Sequence, residues 1–183
     1  MNINNLKIRN AKINDIEKIL EIEHASFDKN ICENRQVFID RIETFNEGFL
    51  VAEYENEIIG YISSEIWLYN ENLKESDFLL NHSIEESHKT NGNELYISSF
   101  AISPKARKYG IGKILFNYLI DNVDKLVKEP KSLLLVVAEN WRSARNIYIK
   151  NGFLEVCILK DFFDYGDIEP FKADGIVMRK LLL

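Results

Sequence analysis

Residues 94–113 read ELYISSFAISPKARKYGIGK, and the rest of the chain is arranged around them. Leu95 to Ile102 is rich in β-formers and stops at Ser103-Pro104, where proline cannot continue a ladder. From Arg107 the chain runs Arg-Lys-Tyr-Gly-Ile-Gly-Lys into an amphipathic stretch, so the spacing predicts a strand, a sharp turn and a helix. Glycines at 110 and 112 let the backbone of the first helical turn approach a ligand closely. The N–H groups of that turn have no partner inside the helix, and the macrodipole favours an anion beside them. Arg107, Lys108, Tyr109, Gly110, Ile111, Gly112 and Lys113 thus form a candidate diphosphate cradle, with three cations around it.

Two common phosphate loops do not fit. A dinucleotide fingerprint needs glycine three residues after Gly112, where Leu115 stands. A Walker loop needs Ser or Thr after Gly112-Lys113, where Ile114 stands, and glycine at position 107. What remains is P-x-x-R-x-x-G-x-G over Pro104–Gly112, directly after a strand. Downstream, Asn140, Ala144, Tyr148 and Gly152-Phe153 stand in N-x-x-x-A-x-x-x-Y-x-x-x-G-F. Together these closely resemble the acetyl-CoA signature and the following block of the GNAT superfamily of N-acetyltransferases. The resemblance runs from Leu6 to Leu183, is strongest over Glu94–Phe153 and omits residues 70–93. The end, Asp174-Gly-Ile-Val-Met-Arg-Lys, resembles the ribosomal-protein alanine N-acetyltransferase branch. That branch has a glutamate five residues before the asparagine, where this chain has Leu135.

The chain has 183 residues, long enough for one sizeable core. A single domain is expected over 6–183, with a polar insertion at about 70–93. With 23 basic against 29 acidic residues the net charge is −6, which argues against nucleic-acid binding and favours a small-molecule or basic-peptide partner. Cys32 and Cys157 lack metal-type spacing and read as free thiols of a cytoplasmic protein. No 18-residue apolar run and no signal-type N-terminus occur, so neither a membrane span nor a secretory leader is expected. His82 and His88 lie six apart, a spacing that suits no usual metal pair on one helix face, and no metal is expected. Monomer and homodimer are both open.

Periodicity supplies the other elements. A first strand is expected at Leu6–Arg9. A helix is expected over about Asp15–Ala25, with Asn14 and Glu17 as a capping box and Ile16, Ile19, Leu20 and Glu23 at helical spacing. Glu33–Thr44 reads as a second helix. Gly48–Tyr54 and Ile58–Leu68 read as a hairpin, with Gly60 marking a bulge or close approach. The insertion is polar, with a short helix near Ser76–Asn81, and has the length of a lid or binding loop. Alternation on the central strand sets Glu94, Tyr96, Ser98 and Phe100 on one face unless a bulge intervenes. A helix is expected over Ile111–Lys128, with Ile114, Leu115, Tyr118, Leu119, Val123, Leu126 and Val127 as its stripe. Ser132–Ala138 reads as a strand buried on both faces, parallel to its predecessor. Arg142–Lys150 reads as a helix, and Phe153–Leu159 and Gly175–Leu181 as strands joined through Lys160–Ala173.

The resemblance implies an α/β fold of the GNAT type: a mixed, mostly antiparallel sheet of about seven strands, with helices on both faces. It implies transfer of the acetyl group of acetyl-CoA to a primary amine by direct attack. A non-catalytic acyl-CoA-binding module of the same fold is the alternative. It also implies thioester contacts from the backbone of Phe100, Ala101 and Ile102, a pantetheine contact from Asn140, and proton donation to the departing thiolate by Tyr148. Asparagine at 140 also suits a helix N-cap. No family base position carries a base. Glu94, one pleat back from Tyr96, is a candidate acting through water; Glu65, Glu139 and a chain of waters are others.

Overall fold

The structure, a computed structural model, describes residues 1, 3–169 and 171–182. Leu183, the expected end of the domain, and Pro170, within the expected 160–173 connection, lie outside the described residues.

Among the described residues seven strands form one sheet: β1 (Leu6–Asn10), β2 (Phe49–Tyr54), β3 (Glu57–Trp67), β4 (Glu94–Ile102), β5 (Ser132–Ala138), β6 (Leu154–Asp164) and β7 (Lys172–Leu181). Their order is β1-β2-β3-β4-β5-β7-β6. Every neighbouring pair is antiparallel except β4 and β5. The helices are α1 (Ile16–Ser26), α2 (Arg35–Thr44), α3 (Ile84–Ser87), α4 (Ile111–Asp121), α5 (Val123–Leu126) and α6 (Arg142–Lys150).

The sheet is covered on both faces. On one, α4 lays Ile111, Leu115, Phe116 and Leu119 against Leu95, Leu133 and Leu135. On the other, α1 and α2 bring Ile16, Ile19, Ile22 and Phe38 onto Val51, Tyr61 and Ala101. Burial of each such side chain is worth about 1.5–3 kcal/mol. β5 lacks alternation because both of its faces are packed: Leu133, Leu135 and Val137 enter the α4 core, and Leu134 packs with Tyr96, Phe78 and Val177.

Several local expectations are corrected. The α4 stripe is rotated, with Phe116 fully buried and Tyr118 exposed. The long helix divides at Asn122, whose Nδ2 donates to Tyr118 O at 2.8 Å and whose carbonyl accepts from Lys125 N. Such a side chain competes with the helical ladder. The expected Asn14–Glu17 box is replaced by Asp15, whose carboxylate accepts from Lys12 N at 2.8 Å and pairs with Arg9. α2 starts later than expected, capped by Asn34, whose Oδ1 accepts from Val37 N at 3.3 Å. The β2–β3 register shifts beside Gly60, where a bulge was expected.

The register shift that matters most is in β4. Ser63 pairs with Ser99, and Ser64 pairs with Ile97, so Ser98 is an extra residue. A bulge of this kind reverses the alternation. Leu95, Ile97, Phe100 and Ile102 therefore share the α4 core, whereas Ala101 packs on the α1 face.

Candidate active site

β4 and β5 stay paired only from Glu94–Ser132 to Ile97–Leu135. Beyond that point Ser98 bulges, and β5 continues to Ala138 held by β7 alone. The two strands part like a wedge. β4 keeps β3 on one side over Phe100–Ile102, so alternate N–H groups there face the open side without a strand partner. A cavity of about 900 Å³ fills the wedge and is lined by residues from both faces of the sheet.

One end of the cavity is the candidate phosphate turn. Lys108 has φ 72° and Gly110 has φ 78°, two left-handed residues on either side of Tyr109. Alternation of hands turns successive N–H groups toward one point, an anion-binding nest. Gly110 is the N-cap of α4 and brings no capping side chain. Gly112 has ordinary helical φ, and a Cβ there would meet Ile102 Cγ1 and Phe100 Cζ at 3.5 Å, an ordinary contact. Protein packing thus does not require glycine at 112. Close approach of a ligand explains it, and this is the observation by which the residues present fit a CoA diphosphate. The Arg107 guanidinium is anchored by Nε donating to Ile102 O at 3.2 Å.

The cavity wall holds Phe100, Ala101, Ile102, Arg107, Lys108, Gly110, Ile111, Gly112, Lys113, Asn140 and Tyr148 together. Tyr109 is not in that wall; its side chain is half exposed. Asn140 does not cap α6, whose N-cap is Trp141. Its Oδ1 instead accepts from Tyr165 Oη at 3.3 Å. Tyr148 is buried, its ring 5.0 Å from Phe116, and burial pushes its hydroxyl well above the ordinary phenol range. A hydroxyl held that way keeps its proton and can donate a hydrogen bond to a developing anion.

The other end is acidic, and its Glu23 was not read from the sequence as a site residue. Glu23 on α1 is 1% exposed, lines the cavity, and is raised by burial to about 7. It accepts from Glu33 N at 3.0 Å and from the Tyr61 hydroxyl, which lies 3.0 Å from Ser99 Oγ on the opened part of β4. Ser26 Oγ, also in the wall, is buried with no protein partner. Glu33 faces the same space and pairs with the buried Arg41 guanidinium. The signal was present in the sequence: Glu23 stands on the apolar spacing of α1, where an acid is out of place unless it is used or paired.

The expected base Glu94 lies elsewhere. It is 1% exposed at the closed end of the β4–β5 pair and outside the cavity wall. Its Oε1 accepts from Arg179 Nε at 2.7 Å and from Ser132 Oγ at 2.7 Å, and its Oε2 from Arg179 Nη2 at 3.2 Å. Both oxygens are committed to holding β4, β5 and β7 together. Glu65 and Glu139 are also outside the wall. Glu65 is enclosed by His82, Ser87 and Arg41, and Glu139 Oε1 accepts from Asp174 N. His82 and His88 do not converge: His82 bonds Glu65, and His88 Nδ1 accepts from Ile66 N. Among the described residues no helix is long and apolar enough to cross a membrane, and no group of three or more His, Cys, Asp and Glu is placed to hold a metal.

A glycine turn at a helix N-terminus beside a split parallel pair, with a cleft between them, has the form of an acyl-CoA-dependent transferase site. The sequence profile described as "Acetyltransferase (GNAT) family" matches residues 14–153, and the chain belongs to that family. It is an acetyl-CoA-dependent N-acetyltransferase, which transfers an acetyl group to an amine. An N-alpha-acetyltransferase of Sulfurisphaera tokodaii is 27% identical over 161 residues, 88% of this chain and 87% of that protein. The fold is that of Ard1 from Thermoplasma volcanium, with a TM-score of 0.73 at 18% identity, covering 98% of this chain and 99% of that one. It is also that of Arabidopsis thaliana Naa50, solved in complex with the bisubstrate analogue CoA-Ac-MVNAL, with a TM-score of 0.71 at 20% identity, covering 97% and 99%.

Proposed function

We propose that residues 6–183 act as one cytoplasmic acetyltransferase domain whose acceptor is the α-amine of a peptide or protein. The observation that carries this reading is the wedge lined from both faces of the sheet, with a candidate phosphate turn at one end and a buried acid at the other. A diphosphate would sit on the N–H groups of 108–113, and the pantetheine would pass Asn140 toward Phe100–Ile102. The names of the relatives support an α-amine over other acceptors.

In this reading the acceptor nitrogen enters from the Glu23 side. Glu23 takes the amine proton, directly or through Ser99 and one water, at a value matched to neutral pH. The neutral nitrogen attacks the thioester carbon, a C–N bond forms, and backbone N–H groups on the opened part of β4 stabilise the oxyanion. As the C–S bond breaks, Tyr148 gives its proton to the sulfur and regains one from the second proton that the acylated nitrogen sheds, so that CoA leaves as the thiol and the amide is neutral. Geometry supports direct transfer, because Cys32 and Cys157 are both outside the cavity wall.

The test is an assay of a peptide panel with acetyl-CoA, reading released thiol, with mass spectrometry locating the acetyl group. Acetylation at the α-nitrogen supports the reading. Modification of lysine side chains or small amines alone would refute the acceptor assignment.

A further inference from the structure

Residues 70–93, between β3 and β4, lie outside the resemblance that pointed to the fold, yet they are firmly docked. Lys89 N donates to Ile66 O at 2.7 Å and Asn93 N to Trp67 O at 3.0 Å, which closes the base of the insertion. Arg179 Nη2 donates to Asn70 O at 2.7 Å. Phe78 is buried, its ring 5.8 Å from Trp67 and 5.7 Å from Tyr96.

The turn that follows Phe78 reaches over the acidic end of the wedge. Leu79 and Leu80 are in the cavity wall and are 51% and 37% exposed, so they form its lip. Across the cavity stand Phe27 and Ile31 of the α1–α2 connection, with Phe162 and Phe163 of β6 at the side. Two devices fix the lip in place. Asn81 Oδ1 accepts from Asn34 N at 2.9 Å, which joins the insertion to the start of α2. His82 Nε2 sits 2.8 Å from Glu65 Oε1, and His82 Nδ1 is 2.9 Å from Leu79 O. Glu65 also meets Arg41 Nε at 3.5 Å, and Arg41 pairs with Glu33 in the same wall. A continuous buried chain of charges therefore runs from the insertion to the acceptor end.

We propose that this insertion is the specificity wall of the acceptor site. Leu79 and Leu80 receive an apolar side chain carried next to the acceptor amine, and His82, paired with Glu65, is the positioning residue that holds them there. The proposal rests on the peptide reading above. A lip of Leu, Phe and Ile beside the buried Glu23 and the Arg41-paired Glu33 suits an amine attached to a large apolar group better than a polar one, because between Leu79, Leu80, Phe27 and Ile31 a polar side chain would lose its water without gaining partners.

The experiment compares peptides that differ only in the first residue (Ser, Ala, Leu and Phe), with the wild-type chain, Leu80→Asp, Leu79→Asp and His82→Ala. Wild type is expected to prefer Leu and Phe over Ser by at least ten-fold in kcat/KM. The leucine variants, at exposed positions, should fold normally and lose that preference. His82→Ala should raise the peptide KM ten-fold or more, with the acetyl-CoA KM within two-fold of wild type. Equal use of all four peptides, or an unchanged preference in both leucine variants, overturns the wall. An unchanged peptide KM in His82→Ala overturns the positioning role. If no peptide is acetylated by wild type, the peptide reading fails, and the same variants assayed with phenethylamine against ethylamine decide the wall on its own.

Discussion

Gly112→Ala separates the ligand's demand from the protein's. In the structure the new Cβ meets Ile102 and Phe100 at 3.5 Å and Ile147 at 3.9 Å, all ordinary contacts. Replacing glycine in the first turn of α4 restricts the unfolded chain, worth about 0.4–1 kcal/mol. The variant should thus be more stable by up to about 1 kcal/mol, and for a chain of this size its Tm should rise by up to about 2–4 °C. Its affinity for CoA should move the other way. A methyl group in the nest pushes the diphosphate off N–H groups whose charge-assisted bonds are worth about 1.5–3 kcal/mol each. Loss of one such bond is roughly a 10- to 150-fold rise in Kd. Thermal melts and calorimetric titration with CoA read both changes on one sample. Wild-type Kd in Gly112→Ala would refute the cradle, and a lowered Tm would show that the glycine serves packing after all.

Three further outcomes are expected. Tyr148→Phe should lower kcat by about 10²-fold while leaving the Kd for acetyl-CoA nearly unchanged, as steady-state kinetics and titration would show; wild-type kcat would remove the hydroxyl from the reaction. Glu23, raised by burial from 4.5 to about 7, is a competent base only when ionised, so kcat/KM should fall as pH drops below about 7. Its folded-state value lies above its unfolded one, so the folded protein holds this proton between about pH 4.5 and 7 and loses stability as pH rises across that window. Glu23→Gln should remove both effects, leaving only the ionisation of the acceptor amine in the rate profile. Glu94→Gln should leave kcat and KM of the folded protein unchanged but destabilise it by about 3–5 kcal/mol, because Arg179 is left buried without its charge partner; denaturant melts beside steady-state kinetics would measure this, and a large loss of kcat would restore Glu94 to the chemistry.

What the sequence made legible was whatever rests on backbone geometry and local periodicity. Gly110 must adopt φ 78°, and only a few residue types do so readily; the turn could be read from spacing alone. β5 announced two covered faces by its lack of alternation. The stripe of α4 was misplaced by one position, because Tyr118 and Phe116 are equally apolar on paper and only packing against Tyr148 and Phe153 chooses between them. A bulge in the central strand was allowed for, but its place at Ser98 could not be read for a related reason: the extra residue is defined by the register of β3, whose Ser63 lies 35 positions earlier in the chain though adjacent in the sheet.

The acidic end of the wedge failed to appear for a deeper physical reason. Glu23, Glu33, Arg41, Glu65 and His82 come from α1, the α1–α2 connection, α2, β3 and the insertion. Each alone is a charged residue in an amphipathic stretch, and each is ordinarily solvated. Their burial is tolerable only collectively, since one ion's desolvation is offset by the next ion's field. The opposite shifts of Glu65, which burial raises but His82 and Arg41 hold down at about 2, and of Glu23, which burial raises to about 7, follow from that sharing. Arg41 lies against Glu33 and Glu65 and leaves Glu23 with only hydrogen bonds from neutral groups. The cluster thus separates two carboxylates by role. Glu65 is held in its ionised form and serves the fold, while Glu23 is left where a proton can come and go near neutral pH, beside the opened part of β4 where the proposed thioester would lie.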